Sequence, residues 1–449
     1  MTTPQPTLRK TLTLVDGVSI VVGITIGAGI FSTPQIIAGY HSSFGVIAVY
    51  WVLGGLLAFT GGLIYAELGT RLPDTGGEYV YLTRAFGPYV GFIFGWAQLF
   101  IIRTSPGAGL AIITANYLGY FIPLTDTGKT LVALGTIAIL GTINYVGVQW
   151  AAFYQRPSSI VKAVGLLALA LAGLAASRGQ VSLLATTAAP TATLGPVGNA
   201  SAAFMLIVFS YLGWDRLGYV AGEMKNPRRV IPPSLIISVA TIAGLYLLTN
   251  VMYHYVLGIE GVRGSTIVAS DAIIQVIGPI GAGLVAALVV VSTTGSINGT
   301  MTAAPRVYYA MARDGLFFKW LDYVNPRFRT PSRAILVHCV WAAVILLVRQ
   351  NFENIVAGMT FAILIFYSFT TVALFKLRRQ GVGGPDVFKV PAYPVLPALY
   401  LLGIVALLVF RLVSEPILSL IDLAFIATGI PFAFIWCRRH TSEHPPESC

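Results

Sequence analysis

Long apolar runs recur along this chain from end to end, roughly one every 30–40 residues, and each is long enough for a helix to cross the hydrocarbon core of a bilayer. No other feature restricts the fold as much. Only 10% of the residues are charged and 56% are hydrophobic, whereas a soluble domain carries about 25% charged residues. So few charges cannot cover a surface exposed to water, so a soluble enzyme is excluded. The 47 glycines point the same way, because glycine is commoner in membrane helices than in soluble ones.

Twelve spans are predicted, at 14–39, 44–69, 89–121, 130–150, 157–177, 198–223, 232–257, 276–312, 332–349, 354–378, 394–413 and 418–437. The fold class expected is an all-α polytopic membrane protein. Placing the N-terminus inside puts 20 of the 28 Lys and Arg in cytoplasmic segments or the parts of spans that adjoin them, 5 outside or at outer span ends, and leaves 3 (Arg103, Lys162, Arg216) assigned to neither side. That asymmetry is the one cytoplasmic loops impose, and it predicts that both ends are cytoplasmic. It also accounts for the net charge of +11 without a nucleic-acid partner. Cys339, Cys437 and Cys449 have no zinc or disulfide spacing. The N-terminal apolar stretch is too long, and too broken by glycine, for a signal peptide.

Two spans are abnormal. The first contains Gly23-Ile24-Thr25-Ile26-Gly27-Ala28-Gly29-Ile30-Phe31, and the sixth contains Phe209-Ser210-Tyr211-Leu212-Gly213-Trp214-Asp215. Glycine costs about 1 kcal/mol relative to alanine inside a helix, so Gly27 and Gly29 mark a weak point at mid-membrane. Unwound backbone at that depth survives only where it is buried in protein or lines a cavity. Spans one and six occupy corresponding places in two halves of five spans each, the signature of a transporter site between inverted repeats. The competing explanation is close helix contact at Gly23-x-x-x-Gly27.

A half-helix N-terminus binds a carboxylate through its free N–H groups, and a half-helix C-terminus suits an ammonium. Two broken helices side by side can therefore hold an amino acid by its backbone alone. This favours amino acids over sugars or simple ions. There is no GxSxG, HExxH, P-loop or metal-ligand cluster, so neither an enzyme nor a cofactor is expected. A membrane sensor that binds without net transport is the reading from another class.

Gly27-Ala28-Gly29-Ile30-Phe31 resembles the first-helix signature of the amino acid–polyamine–organocation superfamily. Its L-type amino acid transporter branch is similar at Tyr65-Ala66-Glu67-Leu68-Gly69-Thr70, Gly76-Gly77-Glu78-Tyr79, Ile101-Ile102-Arg103, Gly213-Trp214, Glu223-Met224-Lys225-Asn226-Pro227 and Gly295-Ser296-Ile297-Asn298-Gly299. The resemblance implies a LeuT-type fold. That comprises a tail at 1–13, a first five-helix repeat at 14–177, an inverted second repeat at 198–378, two added helices at 394–437 and a tail at 438–449. It implies sodium-independent exchange or uniport of neutral amino acids across the plasma (inner) membrane by alternating access. Proton-coupled symport and cationic amino acid or polyamine carriage are the alternatives.

By position, the resemblance implies that the substrate carboxylate meets backbone N–H groups near Ala28 and Gly29. The ammonium meets carbonyls near Thr25, Ile26 and Phe209. Phe209 is the aromatic lid, Tyr253 a seventh-helix tyrosine near the pocket, and Lys162 a fixed ammonium standing where sodium-coupled members bind their ion. Leu212 replaces a glycine of several relatives and should narrow the pocket. Asp215 and Arg216 replace an often neutral pair, and Asp215 is a possible substrate contact. The loop from Pro123 to Lys129 lacks the cysteine by which animal light chains bond a heavy chain, so a stand-alone bacterial or archaeal member is expected, with no disulfide-linked partner. Arg103 should tie helices together, Glu67 and Glu223 should be gate or loop ion-pair partners, and His41, His254 and His338 should be packing or loop residues.

Overall fold

A hydrocarbon solvent forces backbone polar groups to bond within their own segment, and the chain obeys almost throughout. The computed structural model describes residues 8–27, 29–176, 187–191, 195–265, 267–348 and 352–443. Among these, structure is helical apart from two isolated β-bridges, Leu12 with Met224 and Ser43 with Thr187.

The helices are α1 (Leu14–Thr25), α2 (Gly29–Ser32), α3 (Pro34–Tyr40), α4 (Phe44–Arg71), α5 (Glu78–Phe86), α6 (Pro88–Ala97), α7 (Thr104–Leu118), α8 (Asp126–Val146) and α9 (Val148–Ala176). The second half holds α10 (Gly195–Tyr211), α11 (Pro227–Gly264), α12 (Val268–Ile277), α13 (Pro279–Ala303) and α14 (Pro305–Arg313). It ends with α15 (Ser332–Val348), α16 (Phe352–Arg379), α17 (Val395–Ser414), α18 (Pro416–Ala427) and α19 (Gly429–Glu443).

Ten helical stretches among the described residues are long and apolar enough to cross a membrane. The two further expected spans do not form single helices of that length. The run from 88 to 118 is divided by a π turn at Gln98–Ile102, and α15 has 17 residues. Boundaries also move. Gly147 ends α8, so Trp150 belongs to α9, and Pro157 lies inside α9 and not at its start.

Burial falls outward from the first span. The window in Leu14–Ser32 is 82% buried, against 28% for α17 and 22% for Pro416–Trp436. The outer helices present Leu402, Val413 and Ile417 to the surroundings, as lipid-facing helices must. α1 packs against α9, α11 and α13. Small residues let helices approach. A Cβ on Gly61 of α4 would lie 2.8 Å from the Tyr400 hydroxyl of α17 and 2.6 Å from the Trp214 ring.

Buried charges are expensive in this setting, and the structure pairs most of them. The π turn bonds Arg103 N–H to the Gln98 carbonyl (3.0 Å) and so aims the guanidinium inward. Arg103 donates to Gln98 Oε1 (2.6 Å), to the Tyr219 hydroxyl (2.9 Å) and to Asp215, and lies 3.7 Å from Glu78. Tyr65 and Tyr219 donate to the two Glu78 oxygens. Arg103 therefore joins the third stretch, the run from 88 to 118, to α5 and to the short 3-10 helix Trp214–Glu223.

Glu223 pairs with Arg306 of α14 (2.6 Å), and Glu67 accepts from Arg71 (2.6 Å) and from the Val390 N–H (2.7 Å). Both glutamates are thus ion-pair partners. Removing one partner of a buried pair typically costs about 3–5 kcal/mol. Arg103→Met should therefore lower the thermal midpoint of the detergent-solubilised protein well below that of a surface control such as Lys129→Met. An unchanged midpoint would show that the network is not structural.

Candidate functional site

The first span is interrupted because one hydrogen bond is redirected. The Gly27 N–H turns back to the Thr25 carbonyl (2.8 Å) instead of reaching Gly23, and α1 stops. Carbonyls left without a helical partner must be satisfied by something else at this depth. Gly23 C=O accepts from Lys162 Nζ (2.5 Å) of α9 and from Ser296 Oγ (2.9 Å) of α13. Thr25 C=O accepts from the Tyr246 hydroxyl (2.8 Å) of α11, and Ile26 C=O from Ser292 Oγ (2.8 Å). Three helices hold the broken end.

The sixth span breaks beside it. α10 closes with Leu212 N–H on the Phe209 carbonyl (3.1 Å), and Gly213 takes φ 139°, open to glycine and strained for other residues. A Cβ there would stand 2.6 Å from Thr25 Oγ1 and 3.0 Å from the Thr25 nitrogen. A Cβ on Gly29 would stand 2.9 Å from Ser210 Cα. The two broken spans thus meet backbone to backbone, so contact and interruption are parts of one arrangement.

A cavity of about 50 Å³ lies between them. At about 10–15 Å³ per water, that is room for roughly three to five waters, or a small polar molecule. Thr25, Gly27 and Gly29 border it from the first span, and Phe209, Leu212 and Arg216 from the sixth. Ser296 and Thr300 of α13 form the facing wall, with Pro106, Leu110 and Met359 beside them. A wider cleft of about 230 Å³ runs between Arg9, Gln149, Trp150 and Arg327, away from both breaks.

Of the residues expected at a site, Thr25, Gly29, Phe209 and Leu212 come together around this cavity. Ile26 is fully buried, does not border it, and already has Ser292 on its carbonyl. Ala28 lies outside the described residues. Tyr253 is fully buried but does not border the cavity, and the α11 tyrosine that reaches the broken helix is Tyr246, two turns earlier. Lys162 is fully buried just behind the wall, 3.0 Å from Ser296 Oγ. Asp215 is bound to Arg103 and does not border the cavity.

Ser292, Ser296 and Thr300 were missed as a set. Their spacing of four puts all three on one face of α13, a signal present in the sequence. Among the described residues, no group of three His, Cys, Asp or Glu is arranged to hold a metal ion.

Comparison with known proteins matches residues 12–434 to the family model described as "Amino acid permease". The serine/threonine exchanger SteT of Bacillus subtilis (strain 168) is 29% identical, over 98% of this chain and 100% of its own length. The human b(0,+)-type amino acid transporter 1 is 31% identical, over 96% of this chain and 88% of its own. The rabbit (Oryctolagus cuniculus) large neutral amino acids transporter small subunit 2 is 31% identical, over 95% and 80%.

The contact of Gly29 with Ser210 Cα leaves no room for a side chain. Gly29→Val should push α2 away from α10 at a cost of about 1–3 kcal/mol. Amino acid binding to the purified protein, read by scintillation proximity, should weaken roughly 5- to 150-fold while the protein stays monodisperse. Unchanged affinity would mean that the start of α2 takes no part in binding.

Proposed function

The chain belongs to the amino acid permease family, and from that premise we propose that it exchanges small neutral amino acids across the membrane, independently of sodium, by alternating access. It is a multi-pass membrane transporter and not an enzyme. The observation that carries the proposal is the cavity bounded by the two interrupted spans. Exchange and neutral substrates are supported by the relatives named above.

The architecture we propose is twelve helices in a LeuT-type arrangement. It comprises inverted repeats at 14–177 and 198–378, two added helices at 394–437, and tails at 1–13 and 438–449 inside the cell. The π-interrupted run 88–118 and the 17-residue α15 supply the spans beyond the ten long ones. The bias of Lys and Arg supports cytoplasmic termini and the plasma (inner) membrane of a cell. The absence of cysteine from Pro123 to Lys129 supports a chain that works without a disulfide-linked heavy chain.

In this reading the substrate carboxylate lies at the start of α2, near Ala28 and Gly29. Its ammonium lies near the Thr25, Ile26 and Phe209 carbonyls, with Phe209 as the lid. Lys162 supports sodium independence, since its ammonium already ties the Gly23 carbonyl of α1 to Ser296 of α13. Arg216 at the cavity argues against cationic amino acids and polyamines. Proton-coupled symport has one observation in its favour. The acceptors that hold Lys162 are neutral, and no carboxylate pairs with it among the described residues, so its proton is the charge free to leave.

Proteoliposomes preloaded with unlabelled amino acid should take up labelled alanine or serine without Na⁺ and without a pH gradient. Uptake that follows the pH gradient would favour the symport reading, and obligatory Na⁺ would remove Lys162 from the mechanism. Lys162→Ala leaves the Gly23 carbonyl with Ser296 alone, and transport should fall strongly. Leu212→Gly should widen the cavity and move preference towards larger side chains, by a graded amount of about 1–3 kcal/mol. A wild-type protein that already prefers tryptophan would contradict the size argument.

A further inference from the structure

The only charged side chain that borders the cavity, among the described residues, is Arg216. It is 4% exposed, and its sole hydrogen bond is from Nη1 to Thr300 Oγ1. Its Nε is buried with no partner. No carboxylate stands within ion-pair distance of it, since Asp215, its neighbour in the chain, is held by Arg103. Lys162, behind Ser296, adds a second basic group to the same wall.

A guanidinium cannot shed its charge, and burying it without full hydrogen bonding is costly. Arg103 and Arg306 also keep one buried nitrogen, Nη1, without a partner, but each is paired with a carboxylate: Arg103 with Asp215, beside Gln98 and Tyr219, and Arg306 with both oxygens of Glu223. Arg216 has no such carboxylate, and it is the one beside the cavity. A donor left open at the wall of a binding site requires an acceptor from whatever occupies that site. In the reading above the α-carboxylate is taken by the start of α2, where Gly29 packs on Ser210, so it is not the acceptor for Arg216. The acceptor left for Arg216 is on the substrate's side chain.

Resting on the reading of the protein as an amino acid carrier, we propose that Arg216 is the specificity-determining residue, and that it selects short amino acids whose side chain ends in an acceptor oxygen. Leu212 and the volume of about 50 Å³ limit the length, and Arg216 supplies the chemistry. Alanine and 2-aminobutyrate fit the space but leave the guanidinium open. Lysine fits neither. A site built to bond a substrate oxygen rejects the analogue that lacks it far more strongly than an apolar pocket rejects a missing methylene.

The test is competition for labelled serine counterflow in proteoliposomes of the full chain, using threonine against 2-aminobutyrate and unlabelled serine against alanine. Threonine differs from 2-aminobutyrate only by its hydroxyl. The expected half-inhibitory concentration of threonine is at least about tenfold lower. In Arg216→Met, which keeps the bulk and removes the donors, the ratio should approach one, and Arg216→Lys should restore part of it. Equal inhibition by threonine and 2-aminobutyrate in the wild type overturns the proposal, whether or not the variants fold. A ratio that persists in Arg216→Met overturns it too. Failure of every amino acid to be taken up would instead defeat the transport reading.

Discussion

One redirected hydrogen bond organises the centre of this protein. When the Gly27 N–H bonds Thr25 and not Gly23, α1 ends and the Gly23, Thr25 and Ile26 carbonyls stand at its broken end in a place with no bulk water. Each must then find a donor from another helix. Lys162, Tyr246, Ser292 and Ser296 are those donors, from α9, α11 and α13. The buried position of α1, the polar face of α13 and the intramembrane lysine all follow from that demand.

The sixth span answers a different constraint with the same result. Gly213 admits no side chain because Thr25 is against it, and Gly29 admits none because Ser210 is against it. The two interruptions therefore hold each other open. The short 3-10 helix after Gly213 carries Asp215, Arg216, Tyr219 and Glu223 within about three turns of the break. Three of these are anchored by Arg103, Glu78 and Arg306. Arg216 alone faces the cavity. The same segment thus secures the scaffold and presents a group to the occupant of the cavity.

Much of this was legible before any coordinates. The apolar runs and the distribution of Lys and Arg establish a polytopic helical chain. Gly27, Gly29 and Gly213 lie at the two weak points, whereas Gly23 sits inside α1 in close contact with Gln155 of α9. Thr25, Gly29, Phe209 and Leu212 were legible as a group because they flank those weak points in the chain. Lys162 was legible because a charge inside a span is rare. Tyr246 was not, since two tyrosines on one helix differ only in how the helix is rotated and how far it is shifted. Span boundaries near Gly147 and Pro157 were misplaced because proline is tolerated inside a membrane helix when neighbours cover the gap.

Composition and periodicity are properties of the chain itself, so the sequence alone determined the class, the membrane setting and where the first and sixth spans break. Partnership is a property of space. Which carbonyl meets Lys162, which charge takes Asp215 and which is left open depend on the rotation and offset of helices far apart in sequence, such as α1 and α13 or the third stretch and the segment after Gly213. Asp215 and Arg216 are adjacent in sequence, and there Asp215 is the one read as a possible substrate contact. Only tertiary packing assigned one to the scaffold and the other to the cavity, because Arg103 reaches the first and no carboxylate, among the described residues, reaches the second.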